Sequence, residues 1–223
     1  TAFNMSSGTI EAWFKTNDAG GGFRAIVVKE NCYGLFLLNN QVHVFNWSGG
    51  ANFTSVGTYN DNNWHHVAFV FNNGVTNGSK VFIDGVAQTP FTYNAGTPTT
   101  TTLSIGNSPG NPQNFNGTID EVRIWNKALC DAAIINQRNC ELGGTLSSDL
   151  LAYYKFNQGT DAGNNTAITS LSDSKGTYPA TFSGIALSGS TSNFVSGGAT
   201  PNGNSCSYAP LAATASNTGP FCA

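Results

Sequence analysis

The chain has 223 residues, enough for one large domain with its own core, and all-β sandwiches of this size commonly stay undivided. Nine Lys and Arg against twelve Asp and Glu leave a net charge of −3, and the basic residues are scattered, which argues against a nucleic-acid partner. No run of about 18 apolar residues is present to cross a bilayer as a helix, and the opening residues lack the basic-then-apolar pattern of a signal peptide.

From Thr9 to Phe115, strand-length runs alternate with turn clusters. The runs are TIEAWFKT (9–16), FRAIVVKE (23–30), YGLFLLNN (33–40), QVHVFNW (41–47), WHHVAFVF (64–71), KVFIDGV (80–86) and TTLSIGN (101–107). Between them sit Gly20-Gly21-Gly22, Asn39-Asn40, Asn62-Asn63, Asn72-Asn73-Gly74 and Asp84-Gly85, residues that accept the positive φ of tight turns. Residues 118–126 read as a further strand, 131–139 as about two turns of helix, and LLAYYKFN (150–157) as a last strand. Residues 158–184 are polar and loop-rich, and 197–223 are rich in Gly, Pro, Ser and Ala. No long helical pattern separates the strands, so the spacing predicts an all-β, antiparallel two-sheet sandwich with one short helix near 130–139. The sandwich is expected over 1–200, with 201–223 a linker and the start of a following domain.

The five cysteines, Cys32, Cys130, Cys140, Cys206 and Cys222, contain no CxxC pair, which suits disulfides in an exported protein better than zinc. The short helix between Cys130 and Cys140 suggests that these two pair. The odd total leaves at least one thiol over, and Cys222 is the candidate for a missing partner.

Three segments, GTIEAWFKT (8–16), NNWHHVAFVFNNG with KVFIDGV (62–86) and FNGTIDEVRIWNKAL (115–129), occur in an order and spacing that resemble the laminin-G-like, concanavalin A-like jelly-roll modules of bacterial surface and carbohydrate-active proteins. The resemblance spans roughly residues 8–195 and implies the jelly-roll fold directly, whereas the fold hosts lectins, spacers and hydrolases alike. It further implies a secreted or surface-attached protein and one structural calcium near a sandwich edge, with Asp120 and Asp173 as ligands. LLAYYKFN and LSDSKGTYPAT (171–181) usually open such a module but here follow the helix. Either the chain completes its sandwich with that C-terminal strand, or it is a piece of a longer protein; the tail resembles the start of an immunoglobulin-like repeat and implies flanking domains.

On a regular strand, Thr118, Asp120, Val122 and Ile124 share one face and Ile119, Glu121, Arg123 and Trp125 the other. Asp120 and Glu121 then point apart, unlike the carboxyl pair of a retaining glycosidase, about 5–5.5 Å across the scissile bond. The Glu-x-Asp-x-Glu strand of hydrolases with this fold is absent, and so is GxSxG. Glu121 and Arg123 are placed to pair with each other. Asp120 at the edge of an apolar face needs hydrogen bonds or a cation. Without calcium, Asp120 would cap a turn and Asp173 would start an Asx-turn before Gly176.

Alternation sets His43 and Trp47 on one face, suited either to stacking a sugar ring or to a hydrophobic cross-strand contact under the following loop, while Trp13, Trp64 and Trp125 read as framework aromatics. His65 and His66 point to opposite faces, which excludes a shared metal; Phe91 and Tyr93 are placed to present rings at a loop or edge. Together these readings give a non-catalytic adhesion or carbohydrate-binding module, with Trp47, His43 and Tyr93 as ligand-binding residues and a glycan or cell-surface protein as partner. The alternatives are a ligand-free spacer and, third, a hydrolase on the same fold.

Overall fold

Strands whose successive side chains point to opposite faces close this chain into two layers. The computed structural model describes residues 2–49, 53–97, 99–191, 193–199 and 205–207. In chain order the strands are β1 (Ser7–Lys15), β2 (Phe23–Lys29), β3 (Tyr33–Leu38), β4 (Gln41–Phe45), β5 (Phe53–Thr58), β6 (His65–Asn72), β7 (Lys80–Ile83), β8 (Val86–Ala87), β9 (Leu103–Ile105) and β10 (Thr118–Trp125). After them come helix α1 (Asp131–Gln137), β11 (Glu141–Gly143), β12 (Leu150–Tyr154), β13 (Ser170–Leu171), β14 (Ala180–Thr181) and β15 (Ser205–Ser207).

One sheet has the order β12-β10-β1-β6-β7-β8 and the other β5-β4-β3-β2-β9, all neighbours antiparallel. The predicted jelly-roll sandwich is present, and β12 pairs with β10, so the late strand completes the first sheet. Ile10, Ala12 and Phe14 of β1 and Val67, Phe69 and Phe71 of β6 meet Leu35 and Leu37 of β3 and Val42 and Val44 of β4 between the sheets. Each set has the two-residue period of a strand with one buried face. The turns behave as their residues suggest: Asn39 and Asn40, and Asp84 and Gly85, all take positive φ in the hairpins β3–β4 and β7–β8. β5 has no counterpart in the sequence reading because FTSVGT turns only Phe53 and Ser55 inward and leaves Val56 almost fully exposed.

The outer face of the six-stranded sheet is covered as well. Trp125, Tyr153, Leu150 and Phe82 on that face pack with Leu129, Ile134 of α1 and Leu142 of β11. β15 pairs in parallel with β11, and Cys206 within it forms a disulfide with Cys140. This corrects two expectations. Residues 205–207 are tied to the sandwich rather than lying in a linker, and Cys140 does not pair with Cys130. The helix itself is the reason: Cys130 is its N-cap and Cys140 lies three residues past its last turn, so a rise of about 1.5 Å per residue carries them beyond the roughly 6 Å Cα spacing a disulfide needs. Cys130 is also disulfide-bonded, and Cys32 is a buried free thiol. The expectation for Cys222 lies outside the described residues.

Cys140 and Cys206 are 66 residues apart, so their bond closes a long loop. Replacing both with Ala should lower stability by about 4 kcal/mol on loop-closure entropy, seen as a fall in Tm without added reductant. An unchanged Tm would show that β11–β15 pairing holds the segment by itself.

Candidate functional site

The acid-rich stretch of β10 contains a β-bulge. Glu11 pairs with Arg123 and Trp13 with Asp120, leaving Ala12 opposite both Glu121 and Val122, and Glu121 takes φ 53°. The extra residue resets the alternation. Val122 and Ile124 enter the core with Ile119 beside it, while Asp120, Arg123 and Trp125 turn outward, so Asp120 does not share a face with Val122 and Ile124 as a regular strand would require.

Glu121 and Arg123 do pair, at 2.8 Å, both about 1% exposed. Arg123 also donates through Nη1 to Gln137 O (2.9 Å) and through Nη2 to Cys140 O, holding the chain at the end of α1. Tyr153 Oη donates to Glu121 Oε2, and Trp125 Nε1 donates to Glu11 Oε1 at 2.6 Å. Burial holds Glu121 above the ordinary carboxylate range. Burial acts the same way on Glu11, but His66, Arg123 and Trp125 outweigh it and keep its pKa below the usual value. His66 contacts Glu11 on this side while His65 bridges Asp61 and Asp84, so the two imidazoles do face opposite ways. These acids are sealed under α1 and β11, where no polysaccharide reaches them.

Asp120 and Asp173 are both buried and both committed to backbone. Asp173 Oδ1 accepts from Tyr153 N (2.8 Å) and Lys175 N (2.9 Å), and Oδ2 from Thr177 N and Tyr178 N (3.0 Å each). Four donors occupy the roughly four lone-pair positions of a carboxylate. Asp120 accepts from Glu121 N (2.9 Å) and Ala199 N (2.7 Å), and burial raises its pKa. A calcium wants about 6–8 oxygens, and among the described residues no three His, Cys, Asp or Glu converge as a metal site. Asp173 thus has no lone pair to spare, and its bond from Lys175 N is the Asx-turn expected before Gly176, whereas Asp120 holds the distant Ala199 instead of capping a local turn.

The outer face of the five-stranded sheet carries an aromatic group. On β4, Val42 and Val44 enter the core, while His43 and Phe45 turn outward and Trp47 follows on the same side. Phe36, paired with His43 across β3–β4, and Phe23 of β2 join them. The rings meet edge to face: Phe45–Trp47 at 4.8 Å and 69°, Phe23–Phe36 at 5.3 Å and 75°, and Phe23–His43 at 5.5 Å and 75°. Phe36 and His43 form a buried base, and Phe23, Phe45 and Trp47 are half-buried above it. Gly34 of β3 makes room, because a Cβ there would lie 2.8 Å from Trp47 Cη2 and would also strike the Phe36 ring.

His43 Nδ1 bonds Thr54 Oγ1 at 2.8 Å, while its buried Nε2 has no hydrogen-bond partner. Burial pushes its pKa down to about 4, so it is neutral near pH 7. The structure thus brings His43 and Trp47 together as their alternation indicates. Tyr93 is a correction: it is fully buried between the sheets, bonded through Oη to Phe45 O (3.0 Å) and packed on Phe69. Phe91 stacks on Phe53. Phe23, Phe36 and Gly34 escaped the sequence reading, although the two-residue period of YGLFLL already sets Gly34 and Phe36 opposite Leu35 and Leu37.

The family model described as Concanavalin A-like lectin/glucanases superfamily, of laminin-G type, matches residues 1–135. The chain belongs to this superfamily. Among solved structures, a candidate carbohydrate-binding protein from Bacteroides ovatus ATCC 8483 is similar to this superfamily member with TM-score 0.61 and 21% identity, over 79% of this chain and 52% of its own. The chain thus spans about half the length of that relative. Domain 4 of AbnA, a GH43 extracellular arabinanase from Geobacillus stearothermophilus solved with arabinotriose, gives TM-score 0.45 and 21% identity over 59% of this chain and 66% of its own. The CBM40 of a Ruminococcus gnavus sialidase gives 0.42 and 18% over 58% and 81%. At 21% identity the likeness to the Bacteroides ovatus structure speaks for the fold alone. A comparison with curated proteins returns no match.

Two outcomes follow for these side chains. Asp173→Ala strands four backbone donors and should cost about 2–4 kcal/mol, equally with calcium and with EDTA. A melting shift on calcium addition that Asp173→Ala abolishes would overturn the capping role. For His43, the folded pKa of about 4 lies below the unfolded value near 6.5, so between them the unfolded chain binds more protons. Its contribution to stability is complete above about pH 6.5 and lost as the pH falls toward 4. The stability difference between the native protein and His43→Gln should shrink across that window in thermal melts, and a constant difference would refute the assignment.

Proposed function

We propose that this superfamily member is a non-catalytic carbohydrate-binding module of an extracellular protein, with the outer face of the five-stranded sheet as its glycan platform. The observation that carries this reading is the half-exposed group Phe23, Phe45 and Trp47 set over Phe36 and His43. Aromatic faces take up the apolar side of a sugar ring, and Phe36 and His43 form the buried floor beneath them. The similar structures include a carbohydrate-binding module and a domain solved with arabinotriose, which agrees with this ligand class. The Cys140–Cys206 disulfide suits an oxidising, extracellular setting, and no helix among the described residues is long and apolar enough to cross a membrane. Adhesion to glycan-bearing surfaces is the corresponding role in a larger protein.

Affinity electrophoresis in polysaccharide gels, with a glycan array for the ligand, tests the reading. Retardation should appear with the native protein and weaken about tenfold or more in Trp47→Ala, the value of one lost aromatic stacking contact. Retention that survives Trp47→Ala and Phe45→Ala would dismiss the platform. Retention by no glycan would favour the spacer, and release of reducing ends by the purified chain would make it a hydrolase.

A further inference from the structure

We propose a second ligand site, specific for an uncharged sugar residue, in the pocket between the start of β10 and the loops that follow β12. It does not depend on the aromatic platform, which lies on the outer face of the other sheet. The pocket has a volume of about 450 Å³, within the usual 300–1,000 Å³ of small-ligand sites. Its walls come from Trp64 just before β6, Asp120 of β10, and loop residues including Phe156, Asp161, Phe182 and Asn193.

Two anchors shape the wall. Trp64 Nε1 donates to Gly197 O at 3.2 Å, and Asp120 Oδ2 accepts from Ala199 N at 2.7 Å, so both polar ends fasten residues 197–199 beside the pocket. The Trp64 ring, thus pinned by its nitrogen, contributes its apolar surface to the lining. Phe182 meets Phe194 edge to face at 6.0 Å on the opposite side. Polar groups stand among these rings: Asp161 uses Oδ2 to accept from Ser196 Oγ (2.8 Å), and Asn193 uses Oδ1 to accept from Ala186 N (2.6 Å). Among the described residues this leaves Asp161 Oδ1 as an acceptor and Asn193 Nδ2 as a donor.

The charge of the lining selects the ligand. Among the described residues it holds two aspartates and no Lys, Arg or His, so a carboxylated or phosphorylated sugar would meet negative charge with no described cation to neutralise it. Aromatic surface combined with an acid and an amide is the chemistry that takes a neutral sugar, its apolar face against a ring and its hydroxyls on the polar groups. The loop walls lie within residues 156–198, outside the 1–135 that match the family model, while Trp64 and Asp120 lie inside it, so the C-terminal loops close a pocket against the matched part of the sandwich.

The test is a titration of the whole chain, followed by the indole N–H resonance of Trp64, assigned through Trp64→Phe. The probes are methyl glycosides of neutral hexoses and pentoses, with N-acetylneuraminic acid as the anionic counterpart. A neutral glycoside should shift that resonance saturably in the native protein and in Trp47→Ala alike. Asp161→Ala and Asn193→Ala, both at exposed positions, should each weaken the response about tenfold, the value of a lost hydrogen-bonding partner. Silence of Trp64 across the neutral panel, equal response to N-acetylneuraminic acid, or no effect of the two pocket variants would overturn the proposal. If Trp47→Ala abolishes polysaccharide retention while Trp64 stays silent, the platform stands and the pocket falls. If Trp64 responds while Trp47→Ala leaves retention unchanged, the pocket stands and the platform falls.

Discussion

The buried guanidinium of Arg123 is the constraint on which the rest of this structure depends. A charge taken out of water this completely needs an opposite charge and hydrogen bonds, and Arg123 meets Glu121, Gln137 O and Cys140 O through its two Nη atoms, while its buried Nε has no partner among the described residues. The two carbonyls belong to the end of α1 and the turn beyond it, so the bonds that satisfy the charge also clamp the helix onto the outer face of the six-stranded sheet. Cys140, whose carbonyl is held there, also bears the disulfide that brings in β15. Electrostatic burial, helix docking and the covalent tie therefore converge on one short segment.

The clamp divides the molecule functionally. The outer face of the six-stranded sheet is filled around Trp125, Tyr153, Ile134 and Leu142. Among the described residues no helix lies over the outer face of the five-stranded sheet, and the rings of Phe23, Phe45 and Trp47 stay half-exposed and order one another by edge-to-face packing. Glu11 and Glu121, the acids nearest to a hydrolase-like arrangement, lie on the sealed side, 1% and 2% exposed.

The bulge at Glu121 shows how one residue redistributes chemistry along a strand. Without it, Asp120 would face the core with Val122 and Ile124. With it, Asp120 turns out to hold Ala199 and the segment beside Trp64, while Glu121 and Arg123 reach the helix. The left-handed φ of Glu121 is a local cost that this network of buried hydrogen bonds offsets.

The sequence by itself determined the sandwich, most of its strands, the hairpins at Asn39-Asn40 and Asp84-Gly85, and the pairing of Glu121 with Arg123. It also determined the shared face of His43 and Trp47. All of these follow from local rules: a two-residue period on a regular strand, and residue types that accept positive φ. Only the tertiary structure decided where those rules fail. The bulge moved Asp120 off its expected face because an extra residue leaves no mark in a one-dimensional pattern. Tyr93 went into the core because long-range packing against Phe69, not its loop-like neighbourhood, sets its burial. Cys140 took Cys206 because a disulfide depends on distances between segments 66 residues apart, which spacing along the chain does not encode. The four backbone donors gathered on Asp173 likewise come from loop closure, and they occupied the oxygens that the family resemblance had reserved for a cation.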